Sequence, residues 1–145
     1  MKAIYISPRQ PAGAAEELAR RPVTDVMSSP VTSVSADMSL GDALRVMVRL
    51  RHRHLVALDG DGRCLGVLAD RAVAAAWAHD PNSLSVRPVR SALQAASAVV
   101  GPQAKVLDVA RLMRSAGVDA VAVAEADGQP IGIVTGTDLV ALLAR

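Results

Sequence analysis

The chain has 145 residues, a formal charge of +2, 51% hydrophobic residues and a single cysteine, Cys64. These values fit one ordinary domain or two very small ones, exclude an intramolecular disulfide, and leave too little charge to imply DNA or membrane binding. Aromatics are nearly missing, with Tyr5, Trp77 and no Phe, so the core is built from Val, Leu, Ala, Ile and Met, and stacking surfaces for single-stranded nucleic acid are scarce.

Residues 1–22 begin with a few apolar residues that Pro8 and Arg9 interrupt before a signal-peptide core forms. No apolar run in the chain approaches the ~20 residues that span a bilayer, so a cytoplasmic protein without a membrane partner is expected. "AAEELARR" has room for a helical turn or two before Pro22, but Pro8, Pro11 and Gly13 make a flexible tail the expectation.

From Val23 onward the chain repeats itself at an offset of 66 residues, which carries Val23 onto Val89, Asp42 onto Asp108, Met47 onto Met113 and Gly66 onto Gly132. No gap is needed from Val23 to Val73. A unit that recurs in this way can be one that is unable to bury its apolar face alone. The copies occupy residues 23–80 and 89–145, joined by a linker at 81–88.

Each copy opens with a short segment, "VTDVM" or "VRSAL", followed by an extended stretch, "VTSVS" or "SAVVG". A helix comes next, with apolar residues at Leu40, Ala43, Leu44 and Met47, then again at Val106, Val109, Ala110 and Met113. Ser39 with Asp42 is a capping-box start, and Gly117 suits a left-handed helix end. A strand ("HLVALD"; "AVAVAE") then turns at Asp61-Gly62 or Asp127-Gly128. A second apolar strand ("RCLGVLA"; "PIGIVT") runs into a closing helix. The order β-α-β-β-α, twice over, predicts an α/β fold, an α+β sandwich of two tandem repeats.

The copies differ at the start of the closing helix. Copy two has Thr135 and Asp138, where copy one has Ala69 and Ala72. A phosphate can sit at a helix N-terminus, where N–H groups lack intrahelical partners, with the Thr135 hydroxyl adding a hydrogen bond. Asp138, one turn along on the same face, can accept from both hydroxyls of a ribose. The same two residues also spell a capping box, which needs no ligand. Copy one can still cap its helix one residue later with Asp70, so the asymmetry favours a ligand for copy two.

Taken together, "VTDVM", "VTSVSADMSLGDALRVM", "HLVALDGDGRCLGVLADR" and "PIGIVTGTDLVALL" resemble a pair of CBS domains, the cystathionine-β-synthase-type regulatory repeat, over residues 23–145. Val56 and Ala122 depart from the family by standing where proline is common, and copy one lacks the family's Thr and Asp. The resemblance implies two repeats about a pseudo-twofold axis, no catalysis, no obligatory cofactor, and clefts that take an adenosyl nucleotide such as AMP, ADP or ATP. Each cleft would join the helix start of one repeat to the early strands of the other.

Carried over, the resemblance places Thr135 and Thr137 with Arg53 and His54 on phosphate, Asp138 on ribose, and Met27, Val31 and Thr32 against the base. The opposite cleft would pair Ala69 and Ala72 with Asp119, which would repel a phosphate, so one working and one vestigial cleft are expected. These cations suit a phosphorylated ligand better than the sulfonium of S-adenosylmethionine. The resemblance also implies a homodimer and a separate regulated protein.

Competing readings remain. "RHRHL" is equally a solvated charge cluster, and the chain could be a ligand-free interaction scaffold. A nucleic-acid binder using Arg45, Arg49, Arg51 and Arg53 is disfavoured by low charge and missing aromatics. His52, His54 and His79 do not make a zinc site without carboxylate help. Cys64 reads as a small core residue, and Trp77 as core or interface.

Overall fold

Burying the apolar faces read above produces two small sheets, each backed by helices. The computed structural model describes residues 13–94 and 98–144. Residues 1–12 of the expected tail, and Ser97 at the start of the second extended stretch, lie outside the described residues. Helix α1 (Ala14–Arg20) comes first, followed in the first repeat by β1 (Ser33–Ser35), α2 (Leu40–Leu50), β2 (His54–Leu58), β3 (Cys64–Ala69) and α3 (Asp70–His79). The second repeat supplies β4 (Val99–Val100), α4 (Val106–Ala116), β5 (Ala120–Ala124), β6 (Pro130–Thr135) and α5 (Gly136–Leu143).

In each sheet the middle strand pairs parallel to the first and antiparallel to the third, in the orders β1-β2-β3 and β4-β5-β6. The registers correspond: Val56 faces Val67 and Ala122 faces Ile133. The hairpins turn where Gly62 and Gly128 adopt φ of 80° and 90°, a region that glycine enters without steric cost. The expected β-α-β-β-α order is therefore present twice.

The sheets meet at a seam of buried Val56, Val67, Ala120 and Ala122, joined by Val31, Cys64, Val99 and Ile133. Val56 and Ala122, the two departures from proline, occupy equivalent places in this seam and are almost completely buried. Cys64 at its edge is partly buried, and desolvation pushes its thiol pKa up.

A second link between repeats is less visible in the sequence. The short segment that opens each repeat packs into the core of the other one. Val23 lies with Val109, Val121, Val123 and Val134, whereas Val89 lies with Leu40, Leu55, Leu68 and Val73. Equivalent backbone bonds fix both crossings: Val23 N–H to Ala104 O at 2.8 Å and Val89 N–H to Met38 O at 2.8 Å. Two further bonds, Val106 N–H to Arg21 O and Leu40 N–H to Arg87 O, are both 2.9 Å.

Helix α1 falls within the segment read as a tail. It carries Glu16 and Glu17 in its first turn and Arg20 in its last, a charge order that complements the helix dipole. Leu18 and Ala19 line an apolar groove with Val106, Ala110 and Leu139. No helix among the described residues is long and apolar enough to cross a membrane.

Candidate ligand cleft

The end of β6 and the start of α5 supply one wall of a cleft. The polar pair there is closed on itself: Thr135 N–H donates to Asp138 Oδ2 at 2.8 Å, Thr135 Oγ1 donates to the same oxygen at 3.1 Å, and Asp138 N–H donates to Thr135 Oγ1 at 3.3 Å. This is the capping box in full. Asp138 Oδ1 has no hydrogen-bond partner among the described residues, so one carboxylate oxygen remains available. The cap thus leaves Asp138 Oδ1 open, while the one hydroxyl proton of Thr135 is already given to Asp138.

The facing wall comes from the first repeat. Ser28 N–H donates to Ile133 O at 2.8 Å, and Ile133 N–H to Ser28 O at 3.0 Å, which straps the Ser28–Thr32 segment onto β6. Beneath that strap Met27 packs into the second core, and a Cβ at Gly132 would collide with its Sδ. Only glycine lets the thioether sit so close to β6. The space left over, about 310 Å³, is lined by Pro30, Val31 and Thr32, by Arg51 to His54, and by Ile133 and Thr135. That volume lies at the lower end of small-ligand sites.

The structure therefore brings together Val31, Thr32, Arg53, His54 and Thr135. It holds Met27 in the second core, outside the cleft lining. Thr137 is exposed and Asp138 half-buried on the first turn of α5, beyond the enclosed space. His54 is already engaged, with Nε2 3.1 Å from Asp119 Oδ1.

Arg51 and His52 were absent from the site expected from sequence. Arg51 ends α2 with φ 57° and ψ 39°, a left-handed conformation that costs a non-glycine residue roughly 1–2 kcal/mol. Its equivalent under the 66-residue shift, Gly117, has φ 66° and ψ 32°. That pairing of an arginine with a helix-ending glycine was the available signal. His52 Nδ1 lies 3.0 Å from Thr32 Oγ1, tying the basic segment to the extended stretch opposite.

At the second cleft the structure adds partners for Asp119 that the sequence did not indicate. Asp119, expected to repel a phosphate there, is held by Gln94 Nε2 at 3.0 Å, His54 Nε2 at 3.1 Å and an Arg71 guanidinium nitrogen at 3.7 Å. Partial burial pushes its pKa up, but the hydrogen bonds from Gln94 and His54 and the charges of His54 and Arg71 outweigh this and hold it below the ordinary value. Helix α3 begins at Asp70 with Ala69 as N-cap and no side-chain cap, so the later start expected for copy one does not occur. Asp70 Oδ1 instead accepts from Arg71 N–H at 2.7 Å.

A more open groove of about 610 Å³ lies between the hairpin turns, with Asp61 and Asp127 on its rim. Two carboxylates and no cation make it a poor phosphate site. Trp77 is 56% exposed, which removes it from the core.

The CBS domain family matches residues 23–79 and 88–145. The chain belongs to the CBS domain family. A CBS domain-containing protein from Dictyostelium discoideum is 26% identical over 132 residues, covering 85% of this chain and 91% of that protein. A CBS domain pair crystallised with 5′-methylthioadenosine and S-adenosyl-L-methionine superposes with a TM-score of 0.74 at 21% identity, over 85% of this chain and 95% of the other. CBSX2 in complex with AMP gives a TM-score of 0.70 at 25% identity, over 86% and 96%. This chain is a tandem CBS module, two repeats about a pseudo-twofold axis.

Proposed function

We propose that this CBS pair is a regulatory module that binds one adenosyl nucleotide in the cleft between Thr135 and the Arg51–His54 segment, and performs no catalysis of its own. The observation that carries the reading is the asymmetry of equivalent positions. Arg51, Arg53 and Thr135 line one cleft, with Asp138 on the first turn of α5 beyond it, where the equivalent positions are Gly117, Asp119, Ala69 and Ala72. Thr135 and Thr137 at the start of α5, with Arg53 and His54 opposite, would meet the phosphates. The free Asp138 oxygen would take the ribose, and Val31 and Thr32 would face the base. The adenosyl ligands of the two related structures support the ligand class.

A nucleotide shifts a conformational equilibrium only by its unequal affinity for the two states. A homodimer, or a separate regulated protein in the cytoplasm, would receive that shift. Exposed Trp77 and Leu143, at equivalent positions on α3 and α5, are 56% and 64% accessible and suit such an interface.

The closed Thr135–Asp138 box favours a second reading, a ligand-free scaffold in which these residues only start a helix. Calorimetric titration with AMP, ADP, ATP and S-adenosylmethionine separates the two. One site per chain, lost in Asp138→Ala, is the expected result. No heat with any of the four, together with a modest loss of thermal stability in the variant, would leave the scaffold.

A further inference from the structure

The second cleft carries its own anion. Three donors from separate segments converge on one oxygen, Asp119 Oδ1: from the first repeat His54 Nε2 at the start of β2 and Arg71 on the first turn of α3, and from the opening segment of the second repeat Gln94 Nε2. None of the three side chains has another carboxylate partner among the described residues. Asp119, by contrast, does no backbone work with its side chain. Its place in the turn is fixed by its carbonyl, which accepts from Gly136 N–H at 2.9 Å. Its equivalent, Asp70 N–H to Arg53 O, is also 2.9 Å. The backbone geometry is thus independent of the carboxylate that fills the donor cluster.

We propose that His54, Gln94 and Arg71 form a one-anion site in the second cleft, and that Asp119 is its resident, displaceable occupant. The carboxylate is half exposed, 48% for the side chain, whereas the His54 side chain is only 14% exposed. His54 is thus the sheltered donor, whereas Arg71, 62% exposed, and the Asp119 carboxylate both reach solvent. A small oxyanion, carboxylate or phosphate, must compete with a tethered carboxylate whose effective concentration is at least millimolar. The site is therefore closed to weak ligands in the intact chain and opens when Asp119 leaves. This inference stands whether or not the first cleft takes a nucleotide.

The test removes the occupant and returns it in solution. Asp119→Ala is expected to lower the thermal midpoint by about 3–8 °C, because three donors lose a shared acceptor. Sodium formate or sodium phosphate should restore it saturably, as expected for a ligand that binds only the folded state, whereas sodium chloride at equal ionic strength should not. The wild type should show no such response, and Arg71→Ala combined with Asp119→Ala should lose it. Should the alanine variant not fold, Asp119→Ser, which keeps one hydroxyl partner for the donors, carries the same expectation. A response to formate and phosphate no larger than to chloride, or an equal response in the wild type, would overturn the proposal.

Discussion

Arg51 offers a test in which stability and binding move in opposite directions. It closes α2 in the left-handed region with φ 57°, which costs an L-residue roughly 1–2 kcal/mol. Glycine removes that cost but loses more freedom on folding, roughly 0.5–1 kcal/mol. The net expectation for Arg51→Gly is a gain of about 0.5–1 kcal/mol. The Arg51 side chain is exposed and makes no hydrogen bond or ion pair among the described residues, so nothing else is lost on truncation. For a chain of this length the gain corresponds to a rise of about 2–5 °C in thermal midpoint. Binding should weaken, since a charge-assisted contact to phosphate contributes roughly 1.5 kcal/mol, or about tenfold in affinity. Thermal unfolding of nucleotide-free protein measures the first effect and calorimetry with ATP the second. A lower midpoint would refute the strain argument, and a higher midpoint with unchanged affinity would remove Arg51 from the ligand site.

Two further expectations follow from the crossed cores and from the second cleft. Val23→Ala, at a fully buried position, should cost about 2–3 kcal/mol. The loss should lower the midpoint seen by Trp77 fluorescence in the first repeat together with that seen by circular dichroism; two separated transitions would show that the repeats fold independently. The depressed pKa of Asp119 contributes stability that is present above the ordinary value of 3.8 and is lost as pH falls through the lower folded value. The stability difference between wild type and Asp119→Asn should therefore shrink below about pH 4, and a difference unchanged down to pH 2 would contradict the hydrogen-bonding assignment.

The fold was legible because its signals are local and occur twice. Helical spacing at Leu40, Ala43, Leu44 and Met47, the two Asp-Gly turns and the Ser39 and Thr135 caps each depend on neighbours within a few residues. The crossing of Val23 and Val89 into opposite cores was not legible, since an apolar residue declares that it is buried but not against what. Met27 shows the same limit. Its place near the cleft was readable from the resemblance, whereas its packing against Gly132 depends on a close approach between distant segments. Arg51 was hidden for another reason: left-handed conformation is read from glycine, and only its alignment with Gly117 exposes it. His54 was readable as a cleft residue, but its partner Asp119 lies 65 residues away and belongs to the opposite site.

The two repeats keep one backbone and divide the chemistry. The bonds at the helix starts are equivalent: the carbonyls of Arg53 and Asp119 accept from the first residues of α3 and α5 at the same 2.9 Å. The side chains on those two residues have opposite charge. In the first cleft the position carries a guanidinium, and the helix start beyond it carries a hydroxyl and a carboxylate with one free oxygen. In the second it carries a carboxylate, and the helix start beyond it contributes Arg71 to neutralise that carboxylate. No carboxylate lines the first cleft. At the second position Asp119 already stands among its donors. His54 lies between them, lining one cleft while bonded in the other, so a change in the hold on Asp119 changes the donor available to the first site. The pseudo-symmetric scaffold thus places a basic cleft lining on one side of one imidazole and an internally bonded carboxylate on the other.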